Sequence, residues 1–304
     1  MPTPEEEKAS FCEACKNVAD KVRVRAKEMG LDYTPLPGCK ASFILPGYAQ
    51  HIGLQPAAME RILLEASVAT GESDLALFDR NKPLLVNGDQ KNLRYRGRAL
   101  NRAKMIWQDG EIDSSLLIYS YTGFQYALAE AMRNVSVSPL VEKALRHLNK
   151  DFELAMNHVI LTLYKDGKDS IGVHTDKLPT IGDEANDLII VLKMGAEGRP
   201  FVLTELKGEG AKEFPPPFFN QKIMPGSLLC ISPYDNKYSC AHGVPETVCG
   251  RTSSLVFRRV TKRMRRAEYE KKRIACEKTK QAAKKRKLNQ TITQQNKGIR
   301  LVPY

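Results

Sequence analysis

The sequence has no apolar run long enough to cross a bilayer, and its first residues do not follow a secretory signal pattern. Neither a membrane protein nor a secreted precursor is expected. Its seven cysteines are odd in number and irregular in spacing. That argues against a disulfide framework and for reduced thiols in an intracellular protein. The single CxxC, Cys12 with Cys15, lacks a second pair. Zinc held with Cys39 and His51 would have no recognised finger spacing, and cysteines on a helix face explain the pair better. There is no internal repeat. Histidine is scarce, with five in 304 residues. Any imidazole-rich site must therefore draw on His51, His147, His158, His174 and His242.

Most of the chain also lacks net charge. Residues Arg258 to Lys287 hold 15 Lys/Arg against 3 Glu, which accounts for the whole net charge of +12. The charge belongs to a tail, and the body is neutral. Such a tail attracts polyanions, serves as an import signal, or is simply a solvated helix face. "KKRKL" at Lys284–Leu288, with "KKR" upstream at Lys271–Arg273, favours nuclear import.

What is present reads as helices followed by strands. Residues 1–30 open with Pro and acidic residues, stop at Gly30, and read as a helix. Residues 31–55 read as loop and turn, and 56–70 as a second helix. "LLIYSYTGF" (Leu116–Phe124) reads as strand then turn. Val137–Phe152 has helical periodicity at Leu140, Val141, Leu145 and Leu148. Short β-type runs follow: "NHVILTLY", "DLIIVLKM", "RPFVLTEL", "GSLLCISP" and "TSSLVFRRV". A series of this kind points to a sandwich or barrel.

Among these runs lies "SIGVHTDK". An H-x-D in a strand puts His174 and Asp176 on one face. A third ligand has to come from elsewhere. His147 reads as a helix-surface residue, and His158 as a packed or exposed residue opening a strand. His242, in "CAHGVPE", lies between two predicted strands, 68 residues beyond His174. It is either the third ligand or an ordinary loop histidine. Two imidazoles and a carboxylate form the facial triad of non-haem Fe(II) oxygenases. A 2-oxoglutarate co-substrate would then need a buried cation for its far carboxylate. Arg251 is a candidate, with Ser253 on the same strand face; the alternative is a surface arginine.

Taken together, "NHVILTLYKDGKDSIGVHTDK", "PGSLLCISP", "AHGVPE" and "GRTSSLVFRRV" resemble the AlkB-like 2-oxoglutarate- and Fe(II)-dependent dioxygenases. The likeness is nearest to the branch that repairs alkylated DNA, and it spans roughly Leu100 to Val260. It implies an α+β, mainly β fold: a double-stranded β-helix (jelly-roll) core with supporting helices, an N-terminal helical extension and a basic C-terminal tail. Residues 1–82, 83–262 and 263–304 would be these three parts. By resemblance, His174, Asp176 and His242 bind Fe(II), and 2-oxoglutarate and O₂ are consumed. Arg251 holds the far carboxylate, and Tyr164 contacts the same co-substrate.

Two departures from the family pattern stand out. Thr162 occupies the place of the family's asparagine before that tyrosine. In the last strand the family has Arg-x-Asn-x-Thr-x-Arg. Here Arg258 matches the second arginine, while the first position falls on Thr252. Arg251 and Arg258 are seven apart, so a regular strand points them opposite ways, and only a one-residue bulge would bring both inward.

The implied reaction is oxidative demethylation of an alkylated base, releasing formaldehyde, succinate and CO₂. A base in a duplex must be flipped to reach a buried metal. Tyr119 and Tyr121 would face it, with Trp107 beside them; a packed aromatic cluster is the alternative for all three. "NLRYRGRALNRAK" (Asn92–Lys104), with Arg96, Arg98 and Arg102, is a patch suited to phosphates, or else a solvated loop. The expected partners are nucleic acid, DNA or RNA, and the nuclear import machinery. The expected state is a monomer in the nucleus, with cytoplasmic residence also open. The competing class is a protein-modifying 2-oxoglutarate oxygenase, a hydroxylase or demethylase.

Overall fold

The computed structural model describes residues 2–55, 58, the strand residues between 85 and 118, and 139–259 except 165, 177–183, 209 and 212; it also describes 264–265 and a few helical residues between 271 and 281. For the strands between 85 and 118, for 264–265, and for Pro139 and Leu163, it describes the backbone alone.

The described chain is mostly β, with antiparallel sheets and few helices. Helix α1 runs Pro4–Glu28. Thr3 and Glu6 close a reciprocal capping box at its start, and Pro4 occupies the first turn, where no amide is needed. Its buried stripe is Cys15, Ala19, Val22 and Ala26, at helical spacing. Strands β1 (Thr34–Pro35) and β2 (Phe43–Leu45) and a four-residue helix α2 (Tyr48–His51) follow. This is regular structure where the sequence reads as loop. Of the helix expected at 56–70, only Ala58 lies inside the described residues, and it is helical. Strand β3 is Ala103–Gln108, and helix α3 is Pro139–Asp151.

Eight strands then complete the core: β4 (His158–Tyr164), β5 (Ile171–His174), β6 (Ile189–Gly195), β7 (Arg199–Glu205), β8 (Phe219–Ile223), β9 (Leu228–Ile231), β10 (Cys240–Val244) and β11 (Thr252–Arg258). The large sheet has the order β1-β2-β9-β6-β11-β4-β3, and the small one β5-β10-β7-β8. From β4 onward the chain crosses between the two sheets at every step except β7 to β8, so segments distant in sequence become neighbours.

Strands β4, β6, β9 and β11 of the large sheet are buried on both faces, which is why they read as near-continuous apolar runs. One face carries Val159, Leu161, Ile190, Leu192, Leu255 and Phe257, and it shares a core with α1 and α3. The other carries Ile160, Tyr164, Ile189, Val191 and Leu229 against Phe201, Leu203, Cys240 and Val244 of the small sheet. Because α1 and β2 contribute to these same layers, the N-terminal segment is built into the core rather than appended to it.

Candidate metal centre

His174, Asp176 and His242 each offer a ligand atom, and these atoms lie within 4.8 Å of one another. It is the one such cluster among the described residues. Three local features bring the residues together.

The first is a bulge. Strand β5 pairs with β10 through Ile171↔Val244 and His174↔His242, with a register shift between the two pairs. Regular alternation from the inward Ile171 would turn His174 outward. One extra residue reverses that and sets His174 opposite His242, their ring centroids 4.6 Å apart. A side chain at Gly243 would meet Ile171 O at 3.0 Å and the Val173 backbone at 3.2 Å, so any larger residue would be crowded where the two strands approach.

The second is an amide clamp. Asp176 lies past the end of β5, so strand alternation does not aim it. Instead the Asp176 amide donates to Asn236 Oδ1, and Asn236 Nδ2 donates to Asp176 O, both at 2.8 Å. Asn236 is buried in a π-helical turn, Asp235–Ser239, between β9 and β10. Its neighbour Asp235 pins that turn. The Asp235 carboxylate accepts from the Lys40 and Ala41 amides and from the Ser42 and Ser232 hydroxyls.

The third is an ion pair. Arg258 Nη2 donates to Asp176 Oδ2 at 2.7 Å.

Asp176 Oδ1 stands 3.9 Å from His174 Nε2, and Oδ2 stands 3.9 Å from His242 Nε2. His174 Nδ1 is 2.8 Å from Gly172 O, which fixes Nδ1 as the protonated nitrogen and makes Nε2, on the Asp176 side, the nitrogen able to ligate a metal. Burial, reinforced by His174, pushes the His242 pKa down to about 3, against the opposing pull of Asp176. Its imidazole is therefore neutral at ordinary pH, the form a metal ion binds. Two neutral imidazoles and one carboxylate fit a divalent iron of the facial-triad type. The His174 side chain is 36% exposed against 5% for Asp176, so the cluster opens on the His174 side.

Other candidates fall elsewhere. His242 stands within a strand, not between strands. Its "CAHGV" is too short and too poor in β-branched residues to read as one. His158 opens β4 fully buried and outside the cluster, and exposed His51 also lies apart from it. His147 sits on α3, 3.9 Å from Asp151. Cys15 and Cys12 lie on α1, while Cys39 meets Cys240, Sγ to Sγ at 3.8 Å. Thr162, Tyr164 and Arg258 are all buried, on the face shared with the small sheet.

Of the expected Arg251 and Ser253 pair, the strand register decides the facing of Ser253 alone. Strand β11 keeps regular register with both β6 and β4, without a bulge. Ser253 therefore shares the helix-facing side with Leu255 and Phe257, and Thr252, Ser254 and Arg258 face the small sheet. Arg251 precedes the strand and is half-buried. The bulge that the sequence invited in β11 is in β5.

Of the expected substrate residues, Trp107 lies on β3 opposite Val159, and Arg98 in a short backbone pairing with Tyr95. Tyr119, Tyr121, Arg96 and Arg102 lie outside the described residues.

Sequence reasoning passed over Asn236, Lys193 and Arg199. Lys193 interrupts the apolar run "LIIVLKM", and Arg199 opens β7; both are buried. A charge inside a buried run was the signal available.

No family model matches the sequence, and no curated protein does. Solved structures do show similarity. One is an oxidoreductase of the 2OG-Fe(II) oxygenase family from Burkholderia pseudomallei, at 14% identity and TM-score 0.38, covering 82% of this chain and 94% of that one. Another is a prolyl hydroxylase from Trichoplax adhaerens in complex with a hypoxia inducible factor peptide fragment, at 12% identity and TM-score 0.34, covering 82% and 91%. A third is the ribosomal oxygenase YcfD from Escherichia coli with cobalt and 2-oxoglutarate, at 15% identity and TM-score 0.27, covering 40% and 29%.

Proposed function

We propose that the chain is an Fe(II)- and 2-oxoglutarate-dependent dioxygenase that demethylates alkylated nucleic-acid bases. The observation that carries the dioxygenase class is the convergence of His174, Asp176 and His242, with Nδ1 the protonated nitrogen of His174 and His242 neutral. The strand orders β4-β11-β6-β9 and β5-β10-β7-β8 support reading the core as an eight-stranded jelly roll, the double-stranded β-helix.

His174, Asp176 and His242 would hold the iron. Bound there with 2-oxoglutarate and O₂, it would supply the oxidation of a C–H bond, with succinate and CO₂ as co-products. The chain's own residues prepare the site. Asn236 fixes the backbone of Asp176, Arg258 fixes its carboxylate, and Gly172 fixes the His174 tautomer. Hydroxylation of an N-methyl group gives a hemiaminal that releases formaldehyde.

The base as substrate rests on the AlkB-like residue pattern between roughly Leu100 and Val260. The patch Asn92–Lys104 and the basic tail would meet phosphates, and the tail would also engage nuclear import. A protein-modifying oxygenase is the second reading. The neutral body favours it, since no net positive charge surrounds the core.

The test is 2-oxoglutarate turnover by the full chain with Fe(II), against methylated DNA and RNA oligonucleotides and against a peptide library. Formaldehyde release that depends on the oligonucleotide and falls with salt supports the first reading. Turnover stimulated by peptides alone supports the second. A wild-type protein that binds neither Mn(II) nor 2-oxoglutarate overturns the dioxygenase class.

A further inference from the structure

Lys193 is 4% exposed, on β6. Strand alternation places it with Ile189 and Val191, on the face turned to the small sheet. Its register partner is Ser254 on β11, and Ser254 in turn pairs with Thr162 on β4. Across the layer, Nζ of Lys193 lies 5.9 Å from the Phe201 ring. His242 is stacked on that ring too, with centroids 5.9 Å apart. The lysine and a residue of the metal cluster thus lie about the same phenylalanine ring, and the Lys193 charge acts on His242.

No carboxylate pairs with Lys193 among the described residues. The charged group nearest in effect is another cation, Arg199 on β7. Arg199 is itself committed. Its guanidinium donates to Asp166 O, Asp169 O and Thr252 Oγ1, contacts Cys249 Sγ, and lies 4.3 Å over the Tyr164 ring. It ties the 166–169 and 249–252 segments together through both terminal nitrogens, while its buried Nε has no partner among the described residues. Lys193 has no such duty. A buried ammonium without an anion is costly to hold. A fold that keeps one beside a metal cluster has a use for an incoming anion.

We infer that Lys193 is the cation that receives the far carboxylate of the dicarboxylate co-substrate, in the role the sequence suggested for Arg251. This inference rests on the dioxygenase reading and deepens it. Thr162, Ser254 and Thr252, all buried on the same face, supply hydroxyls around the same place. The lysine arrives from β6, whereas the expected arginine belonged to the start of β11, so the anchor has moved from one strand to its neighbour.

The experiment is equilibrium binding by titration calorimetry on the full chain, with Mn(II) as a redox-inert metal. The probes are 2-oxoglutarate and 2-oxovalerate, which has the same keto acid but no far carboxylate. Wild type is expected to prefer 2-oxoglutarate by about 30-fold, the size of one charge-assisted contact. Lys193→Met is expected to erase that preference while Mn(II) and 2-oxovalerate binding stay within about threefold. Methionine suits an apolar site, so the variant should melt no lower than wild type, which separates loss of a contact from loss of the fold. The assignment is overturned if Lys193→Met keeps the preference, or if Arg251→Ala removes it instead. A wild type that binds Mn(II) but neither keto acid overturns the dioxygenase reading, a result distinct from either of these.

Discussion

Arg258 and Asp176 form an ion pair 2.7 Å long, with each side chain only 5% exposed. The arginine reaches from the last residue of β11 to a carboxylate beyond the end of β5. The pair holds one oxygen of Asp176 in place without any metal. Removing one partner of a buried pair strands the other charge, at about 3–5 kcal/mol. Arg258→Ala is therefore expected to lower the stability of the metal-free protein by about that amount. Saturating Mn(II) should recover part of the loss, because the cation replaces the guanidinium as the partner of Asp176. Urea unfolding with and without Mn(II) measures both. Equal losses in the two conditions would show that Arg258 acts apart from the metal cluster.

Asn236 exchanges two hydrogen bonds with the backbone of Asp176. Its side chain touches no ligand atom, so it is a positioning residue. Asn236→Ala should weaken Mn(II) binding by about 10–100-fold, the usual effect of losing an outer partner at a metal site. Asn236→Asp keeps the acceptor and loses the donor, and should fall between the two. Calorimetric affinities for the three proteins decide the matter; identical values would refute it.

Asp235 is fully buried and gathers the Lys40 and Ala41 amides and two serine hydroxyls. Asp235→Ala leaves the Ala41 amide and the Ser42 and Ser232 hydroxyls buried without this acceptor. Each orphaned donor costs about 1–3 kcal/mol, so a loss of at least about 3 kcal/mol is expected. Chemical denaturation would reveal it, together with weaker metal binding, since Asn236 rides on the same turn.

Burial, and then the Arg199 charge, pushes the pKa of Lys193 down from 10.5 to about 8. The groups acting around it are Arg199 from β7 and His242 from β10, with the hydroxyls of Thr162 and Ser254 on the adjoining strands. Between about pH 8 and 10.5 the unfolded chain binds a proton that the folded chain does not. Stability therefore rises with pH across that window, by about 3 kcal/mol from this residue. Below about pH 8 the full cost of the buried charge remains. Lys193→Met should be the more stable protein at pH 7, with the gap to wild type narrowing toward pH 10. A gap that does not change with pH would contradict a titrating Lys193.

The same protonation governs the co-substrate. An anion favours the charged lysine, so 2-oxoglutarate affinity should fall by about tenfold per unit once the pH exceeds about 8, and Lys193→Met should show no such fall. Calorimetry at pH 7, 8 and 9 on both proteins checks this.

The strand runs of the core and the helix with apolar positions at Val141, Leu145 and Leu148 are legible in the sequence, because they depend on local periodicity and propensity. So was the His174–Asp176 pair with His242, through residue type and context. The clustering of strands into two sheets was expected as a sandwich or barrel.

Which way a side chain points was not legible. A one-residue shift of register inverts every facing, and register comes from partners far away in the chain. The bulge in β5 turned His174 inward, the regular pairing of β11 turned Ser253 toward the helices, and the same pairing network turned Lys193 toward Phe201. Asp176 owes its place to Asn236, sixty positions on, a partner that no local pattern announces. The amino-acid sequence by itself determined which segments become strands and which side chains are chemically able to hold a metal. Only the packed sheets decided which of them meet, since facing and distance are properties of the pairing and not of the segments.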